Sequence, residues 1–311
     1  MNILITGIHG FVGSNLTKAL HMQHTLYGLD IVSPKKEGIQ KNFSWAELAN
    51  NNIPEVDAVI HLAGKAHDTK NQTNAQVYFD INTGLTKQIF DWFLKSNASK
   101  FIFFSSVKAV ADKVIGDVLT ENVKPAPIGP YGESKIVAEK YILSQALSEN
   151  KKVYILRPCM IHGPGNKGNL NLLYQVQVKG IPWPLGAFEN KRSFCSIGNL
   201  IYAVQQLIEK EIESGIYQVA DDEALATNEL ISIIAGSQNK QANIWRIPIN
   251  FIKVLARIGD FLHLPLNSER LKKLTESYVV SNQKLKTALG IIKMPVTAED
   301  GLKRTMESFK K

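Results

Sequence analysis

The first twenty residues carry the pattern that most restricts how this chain can fold. A strand-like apolar run, residues 1–6, leads into a turn with Gly7, Gly10 and Gly13, and a helix-like stretch follows. In such a unit the first glycine permits a tight turn, the second lets the backbone approach a pyrophosphate, and the third lets helix and strand pack closely. The N–H groups at the start of the helix then face the phosphates. The pattern predicts a dinucleotide-binding unit at the start of the sequence.

The end of the next strand indicates which dinucleotide is bound. A second strand-like run, TLYGLD, ends at Asp30. A carboxylate in this position accepts hydrogen bonds from both ribose hydroxyls of an adenosine and repels a 2′-phosphate. We therefore expect NAD as the cofactor, in preference to NADP.

Strands and helices alternate through the first half of the chain. Apolar runs predict strands at 57–62, 101–105 and 153–156, and amphipathic stretches predict helices at 76–95 and 131–147. Near-continuous apolar strands separated by helices are typical of a parallel sheet that is covered on both faces. The expected fold is α/β, a Rossmann-type doubly wound parallel sheet.

The pattern changes after residue 160, where loops lengthen, prolines cluster and shorter elements alternate. We therefore expect residues 1–160 to form mainly the NAD(P)-binding domain. Residues 161–311 are expected to form mainly a smaller substrate-binding portion, with some segments returning to the sheet.

Composition limits the compartment. With 311 residues, of which 44% are hydrophobic, the chain is long enough to bury a large core. No apolar run reaches the roughly 18 residues of a transmembrane helix, and no signal peptide precedes the first strand. Cys159 and Cys195 lack metal-ligand spacing, so we expect reduced core cysteines, no metal site and a cytoplasmic protein.

The charge pattern limits the partners. Much of the net charge of +8 comes from the C-terminal quarter at helical spacing, which indicates a solvated face. No aromatic residues are interleaved with these charges, as they are in surfaces that stack on nucleic acids. We expect an anionic small molecule as the partner, and neither a nucleic acid nor a membrane.

Tyr131 and Lys135 are the strongest candidates for chemistry. They lie four residues apart in a predicted helix, so their side chains share one face. A lysine ammonium near a phenol oxygen stabilises the phenolate and lowers the tyrosine pKa toward a value useful for proton transfer. Ligands of doubly wound sheets bind at the carboxyl ends of the strands. Ser106, which follows the strand at 101–105, is therefore expected to hydrogen-bond the substrate and Tyr131 and to relay the proton.

Taken together, the motifs resemble those of one family. TGxxGFVG (6–13), HLAG (61–64), the serine pair 105–106, YGESK (131–135) and LRP (156–158) occur in the order and at the intervals typical of extended short-chain dehydrogenase/reductases. Within them, the chain most resembles the NAD-dependent nucleotide-sugar epimerase/dehydratase family. The resemblance covers essentially the whole chain and includes GNKGNL (165–170) and the segment around Arg192.

The resemblance implies a role for each matched residue. The implied catalytic residues are Tyr131, Lys135 and Ser106. The implied cofactor-binding residues are Gly7, Gly10, Phe11, Val12, Gly13, Asp30, Ile31, Leu62, Ala63, Gly64, Asn82, Tyr131, Lys135 and Pro158. The implied substrate-binding residues are Ser106, Lys108, Asn169 and Arg192, with Asn169 and Arg192 on the diphosphate of a UDP-sugar.

The resemblance also implies hydride transfer at C4 of the sugar, through a 4-keto sugar. The family's dehydratases carry an Asp-Glu pair after the serine or threonine that follows the strand, whereas this chain has Val107 and Lys108, so dehydration is not expected. The expected activity is that of a 4-ketoreductase of a UDP-4-keto-6-deoxy-N-acetylhexosamine in the synthesis of bacterial surface polysaccharide. The alternative is a UDP-glucose or UDP-N-acetylglucosamine 4-epimerase with tightly bound NAD.

Several points stay open from sequence alone. Lys108 is expected either to contact the sugar or to be a solvent-facing loop lysine. The second basic residue near the uridine is either Arg270 or Lys273. A homodimer is expected through the helices at 76–95 and 131–147, by resemblance to family members. A more remote alternative is a regulator that binds NAD without catalysis.

Overall fold

A computed structural model describes residues 1–31, 34–66, 74–166, 169–262 and 267–310. These residues form ten β-strands and twelve α-helices. The strands are β1 (Asn2–Thr6), β2 (Thr25–Leu29), β3 (Lys41–Phe43), β4 (Ala58–His61), β5 (Lys100–Phe104), β6 (Lys152–Pro158), β7 (Met160–His162), β8 (Arg192–Ser196), β9 (Gly215–Val219) and β10 (Ala224–Leu225). The helices are α1 (Phe11–Leu20), α2 (Trp45–Ala49), α3 (Ala75–Tyr78), α4 (Leu85–Lys95), α5 (Pro130–Leu143), α6 (Asn169–Val178), α7 (Ile197–Glu209), α8 (Thr227–Gly236), α9 (Ile249–Leu262), α10 (Ser268–Thr275), α11 (Gln283–Leu289) and α12 (Ala298–Ser308).

Seven strands form one parallel sheet in the order β3-β2-β1-β4-β5-β6-β9. The chain order reverses at β1, between β2 and β4, which is where ligands bind in such sheets. The predicted doubly wound Rossmann sheet is therefore confirmed. β9 comes from the second half of the chain and pairs with β6, so a C-terminal segment returns to the sheet.

The sheet is buried on both faces because its side chains alternate between two apolar clusters. Ile3 and Ile5 of β1 pack on one side with α1 and α7, and Leu4 packs on the other side with α4 and α5. This alternation is the two-residue period of a strand. Because both faces are packed, each strand is fixed in position along its own axis. The positions of the carboxyl ends of β1, β4, β5 and β6 are fixed with it.

The helix expected over 76–95 is interrupted. A π-helical turn, Phe79–Gly84, separates α3 from α4 and contains the buried Asn82. π-helical turns insert an extra residue into a helix and are common at functional sites. In this case the turn directs Asn82 toward the loop that follows β4, and α5 packs against the same turn.

Shorter elements of the second half form a separate layer. A three-stranded sheet, β10-β8-β7, packs with α6, α8 and α12, while α9 and α10 share a further apolar cluster with α8. Cys159 and Cys195 are free and buried, as expected. Across the described part of the chain, no helix combines the length and apolar character that crossing a membrane requires.

Candidate active site

The glycine turn after β1 is packed too closely for other residues. Gly7 has a φ of +71°, and a Cβ on it would lie 2.9 Å from the backbone nitrogen of Ala63. A Cβ on Gly13 would lie 2.3 Å from the Gly7 carbonyl oxygen. Gly10 precedes α1, and no side chain among the described residues caps this helix. The first helical N–H groups therefore form a site suited to an anionic group.

Asp30 lies beside this turn at the end of β2. Its carboxylate accepts hydrogen bonds from the backbone N–H groups of His9, at 3.1 Å, and Ile31, at 2.8 Å. Lys36, which the sequence analysis did not single out, donates from Nζ to the Ile8 carbonyl and to Ser14 Oγ. Burial lowers the pKa of Lys36 and the nearby Asp30 opposes this shift. The turn is thus held between one carboxylate and one ammonium group.

Thr6 and His61 hold the loop that follows β4. The Thr6 hydroxyl accepts hydrogen bonds from the N–H groups of Leu62 and Ala63, at 3.1 and 2.9 Å. Since both lone pairs are then used, its own hydrogen is donated to His61 Nδ1 at 2.7 Å. His61 Nε2 therefore carries the ring hydrogen and donates to Thr86 Oγ1 at 2.9 Å. Burial keeps the pKa of His61 well below its ordinary value, so the ring is neutral.

Asn82 holds the same loop from the other side. Its amide oxygen accepts from the N–H of Lys65 at 2.7 Å, and its amide nitrogen donates to Ser134 Oγ at 2.9 Å. A Cβ on Gly64 would lie 2.9 Å from Asn82 Oδ1 and 3.2 Å from Lys135 Nζ. Asn82 therefore positions the backbone next to Gly64, and its expected role near the cofactor stays a prediction.

Ser106 and Tyr131 lie together at the carboxyl end of β5. Tyr131 is in the first turn of α5, and the Ser106 hydroxyl is hydrogen-bonded to its side chain. The ring of Tyr78 packs edge-on against Tyr131, with 6.4 Å between centroids. Burial raises the pKa of Tyr131, and the bond with Ser106 partly offsets this rise. The expected lowering of the Tyr131 pKa is thus not found in this structure, because burial outweighs the hydrogen bond.

Lys135 lies one turn further along α5 and is 6% exposed. Its Nζ donates to the Phe104 carbonyl at 2.8 Å and lies 5.0 Å from the centroid of the Phe103 ring. Burial lowers the pKa of Lys135 to about 8, although the carboxylate of Glu139 opposes the shift. The ammonium therefore faces both the end of β5 and Gly64, where a cofactor ribose would lie.

A buried ion pair joins α5 to β6, and it was not predicted from the sequence. Glu139 is fully buried, its carboxylate accepts a hydrogen bond from Ser105, and it is paired with Arg157 of β6. Arg157 Nε lies 2.9 Å from Glu139 Oε1. Glu139 is four residues after Lys135, which is itself four after Tyr131. This spacing on one helix face is the signal that could have identified it.

Two of the candidate substrate residues, Lys108 and Arg192, lie next to Tyr278. Lys108 Nζ lies 2.7 Å from Asp112 Oδ1 and 5.1 Å from the centroid of the Tyr278 ring. Arg192 begins β8 and is bridged through its backbone to Tyr278, and its guanidinium donates to the Lys273 carbonyl. Both cations are partly exposed. Lys108 is therefore partly exposed and paired with Asp112, and its expected contact with the sugar stays a prediction.

The remaining predicted residues have simpler surroundings. Phe11 and Val12 are half-buried in the first turn of α1, and Ile31 is 82% exposed. Pro158 is buried at the end of β6. Residues 167 and 168 and the Asn169 side chain lie outside the described residues, so the predicted role of Asn169 stays a prediction.

Comparison with known proteins decides the family. The sequence model of the NAD dependent epimerase/dehydratase family matches residues 3–220. The chain belongs to this family. It is 29% identical to UDP-glucose 4-epimerase of Vibrio cholerae, over 99% of this chain and 95% of that one. It is 26% identical to N-acetyl-alpha-D-glucosaminyl-diphospho-ditrans,octacis-undecaprenol 4-epimerase of Escherichia coli O157:H7, over 98% and 94% of the two chains.

A solved structure shows the same fold. UDP-glucuronic acid 4-epimerase from Bacillus cereus in complex with NAD superposes with a TM-score of 0.75 at 20% identity, over 100% of this chain and 99% of that one. The family resemblance inferred from the motifs is therefore confirmed, and the membership agrees with NAD as the cofactor. The residues present also fit this group, since the Asp30 carboxylate and the N-terminus of α1, which no described side chain caps, lie together at the switch point of the sheet.

Proposed function

We propose that the protein is an NAD(P)-dependent oxidoreductase acting at C4 of a UDP-linked sugar. Its net reaction is the reduction of a UDP-4-keto-6-deoxy-N-acetylhexosamine. The observation that carries the proposal is the hydrogen bond between Ser106 and Tyr131, one helical turn from the buried Lys135. The reduced nicotinamide supplies a hydride to C4 when it is bound.

The protein's residues complete the reduction with a proton. Tyr131 donates its phenol proton to the C4 oxygen, and Ser106 hydrogen-bonds the same oxygen and polarises the carbonyl. A phenol is protonated at neutral pH even at its ordinary pKa, and burial raises the pKa of Tyr131 further, so the proton to be donated is present. Lys135 holds the ribose hydroxyls and, as an ammonium, compensates the negative charge that develops on Tyr131.

The charged residues around Tyr278 would bind the nucleotide sugar. The guanidinium of Arg192 suits two oxygens of the diphosphate. Lys108, two residues after Ser106 and held by Asp112, would contact the sugar. Asn169 is proposed as a second contact to the diphosphate.

A 4-epimerase is the second candidate, and the full-length similarity to the Vibrio cholerae enzyme favours it. The same residues would serve, but Tyr131 would first act as a base on the C4 hydroxyl. The keto sugar would then turn over and be reduced on its other face.

The carrier of the sugar is a separate question, because the Escherichia coli relative is named for a sugar on undecaprenol. Arg192 would contact a diphosphate on either carrier.

One assay distinguishes the two reactions. Purified protein is mixed with NADH or NADPH and UDP-4-keto-6-deoxy-N-acetylglucosamine, and the absorbance at 340 nm is followed. Stoichiometric loss of reduced cofactor is expected, and the faster of the two cofactors is the preferred one. A flat trace, together with conversion of UDP-N-acetylglucosamine or UDP-glucose to its C4 epimer without added cofactor, would assign an epimerase. If the protein catalyses neither reaction, whether the sugar is carried on UDP or on undecaprenyl diphosphate, a regulator that binds NAD would be favoured.

The quaternary structure is also a proposal. We expect a homodimer through α4 and α5, and Val137 and Leu143 of α5 are exposed. Sedimentation of the purified protein tests this, and a monomer at micromolar concentration would contradict it.

A further inference from the structure

Among the described residues, the C-terminal layer leaves one face of a helix uncovered. The 14-residue helix α9 buries Ile252, Ala256 and Gly259, and the first two pack with Leu271 of α10. A second apolar set, which we call the outer face, is between 38% and 84% exposed and consists of Phe251, Val254, Leu255, Ile258, Phe261 and Leu262. These residues recur at i, i+3, i+4, i+7, i+10 and i+11, so they share one side of the helix. α9 therefore carries two apolar faces, of which one is packed by the part of the chain that the structure describes.

Such a surface needs a partner. Single apolar residues at a protein surface are ordinary, but a continuous row of large ones marks a site of contact with a protein or a membrane. The outer face is a ridge only one helix wide. A stable protein interface buries about 800 Å² on each side, and a ridge of six partly exposed side chains offers little of the shape complementarity that this requires. A bilayer surface requires no matching shape.

Charge favours a bilayer over a second apolar protein surface. Lys253 and Arg257 are exposed on a third face of α9, between its two apolar faces. Together, α9 and α10 contain five basic residues against two acidic ones. Both acidic side chains are already occupied, Glu269 by Lys273 and Asp260 by Ser268. An apolar face bordered by basic residues is the pattern of helices that lie in the headgroup region of anionic membranes.

The position of α9 in the fold agrees with this role. Trp245, which is 52% exposed, precedes the helix, and tryptophan is enriched at membrane–water interfaces. α10 packs against α9, and its Lys273 carbonyl accepts the hydrogen bond from Arg192. The candidate substrate site is thus connected to the outer face through one helix.

We infer that the outer face of α9 docks on the surface of a bilayer rich in anionic phospholipid. The helix would lie in the plane of the headgroups, with its apolar side chains inserted and Arg257 at the phosphate level. No membrane partner was expected from the sequence because it holds no apolar run long enough to span a bilayer. Docking in the interface needs only one apolar face.

Cosedimentation with vesicles tests the inference without any substrate, so its result does not depend on the proposed reaction. The full chain is mixed with vesicles of phosphatidylcholine alone or with 30% phosphatidylglycerol. We expect the wild type to pellet with the anionic vesicles. Phe261→Glu should weaken this binding roughly tenfold or more, because it removes a large inserted side chain. Arg257→Gln should weaken it roughly fivefold, the effect of one charge near an anionic surface.

Ile292→Glu is the matched control. Ile292 is 87% exposed and Phe261 is 84% exposed, but Ile292 lies outside α9. The control should bind vesicles like the wild type, and unchanged circular dichroism and melting temperature will show that all variants fold. A wild type that stays in the supernatant, or a Phe261→Glu protein that pellets like the wild type, would overturn the inference. Loss of dimerisation in Phe261→Glu without any vesicle binding would assign the outer face to a second copy of the chain.

Discussion

The two sides of the site are held in different ways. On the cofactor side, Thr6, Asn82 and Lys135 are buried, and Thr6 and Asn82 each make three or more hydrogen bonds to neighbouring strands and helices. On the substrate side, Lys108 and Arg192 are partly exposed. Lys108 pairs with Asp112, and Arg192 donates to the Lys273 carbonyl. In the proposed reaction, the packed sheet would thus fix the geometry of hydride and proton transfer. Substrate choice would depend on side chains whose arrangement can change at little cost to the fold.

The largest effect is expected at the centre of the cofactor side. Tyr131→Phe removes the proton donor and keeps the ring against Tyr78, so kcat should fall about 10²–10⁴-fold. Turnover at saturating substrate measures this. Tyr141→Phe on the same helix removes a hydroxyl that is bonded to Asp91, away from the site, and should leave kcat unchanged. Equal turnover of Tyr131→Phe and wild type would contradict the proton-transfer role of Tyr131, and with it the contrast between the two sides of the site.

The free energy of unfolding should also depend more on a buried charge near the cofactor side than on an exposed charge elsewhere. Glu139→Gln keeps the shape of the side chain but leaves the charge of Arg157 buried without a counter-ion, which costs about 3–5 kcal/mol in the free energy of unfolding. Urea denaturation measures it. Glu299→Gln breaks an exposed pair with Lys303 and should cost about 0–1 kcal/mol.

A second variant separates the ion pair from general damage. Glu139→Gln combined with Arg157→Met removes both charges and should recover part of the lost stability. If the double variant is no more stable than Glu139→Gln, the buried charge of Arg157 is not the cause.

The cofactor side could be predicted from sequence because its signals are local. Gly7, Gly13, Asp30, Tyr131 and Lys135 lie in short motifs whose spacing already fixes which strand end or helix face they occupy. The structure adds partners that are distant in sequence, such as Glu139 with Arg157, and these depend on which strands become neighbours.

The substrate side was less predictable for the same physical reason. Tyr278 lies far along the chain from both Lys108 and Arg192, and no short sequence pattern links the three. The π-helical turn was also missed, because the amphipathic period of 76–95 continues through it. Lys36 was missed because a lysine in a polar loop is ordinary until the fold places it on the glycine turn.

Lys135 gives a smaller effect that depends on pH. Its pKa is about 8 in the folded protein and 10.5 in its ordinary state, so between these values the unfolded chain binds more protons. Stability contributed by this group therefore rises with pH across that window, by about 3 kcal/mol in total. The measurement is the difference in unfolding free energy between wild type and Lys135→Met from pH 7.5 to 10.5. A constant difference would mean that the folded pKa of Lys135 is not lowered.

The smallest effect is expected on the substrate side, at Lys108. Lys108→Met removes the ammonium but keeps most of the apolar stem, so KM for the nucleotide sugar should rise about tenfold with kcat nearly unchanged, the pattern of a lost binding contact. Its pair with Asp112 is partly exposed, so the unfolding free energy should change by about 1 kcal/mol or less. Lys113→Met, an exposed lysine in the same segment, is the control and should match the wild type. A fall in kcat equal to that of Tyr131→Phe would instead place Lys108 among the groups that act on the reacting oxygen. The part of the site that determines kcat would then extend beyond the residues packed on the sheet.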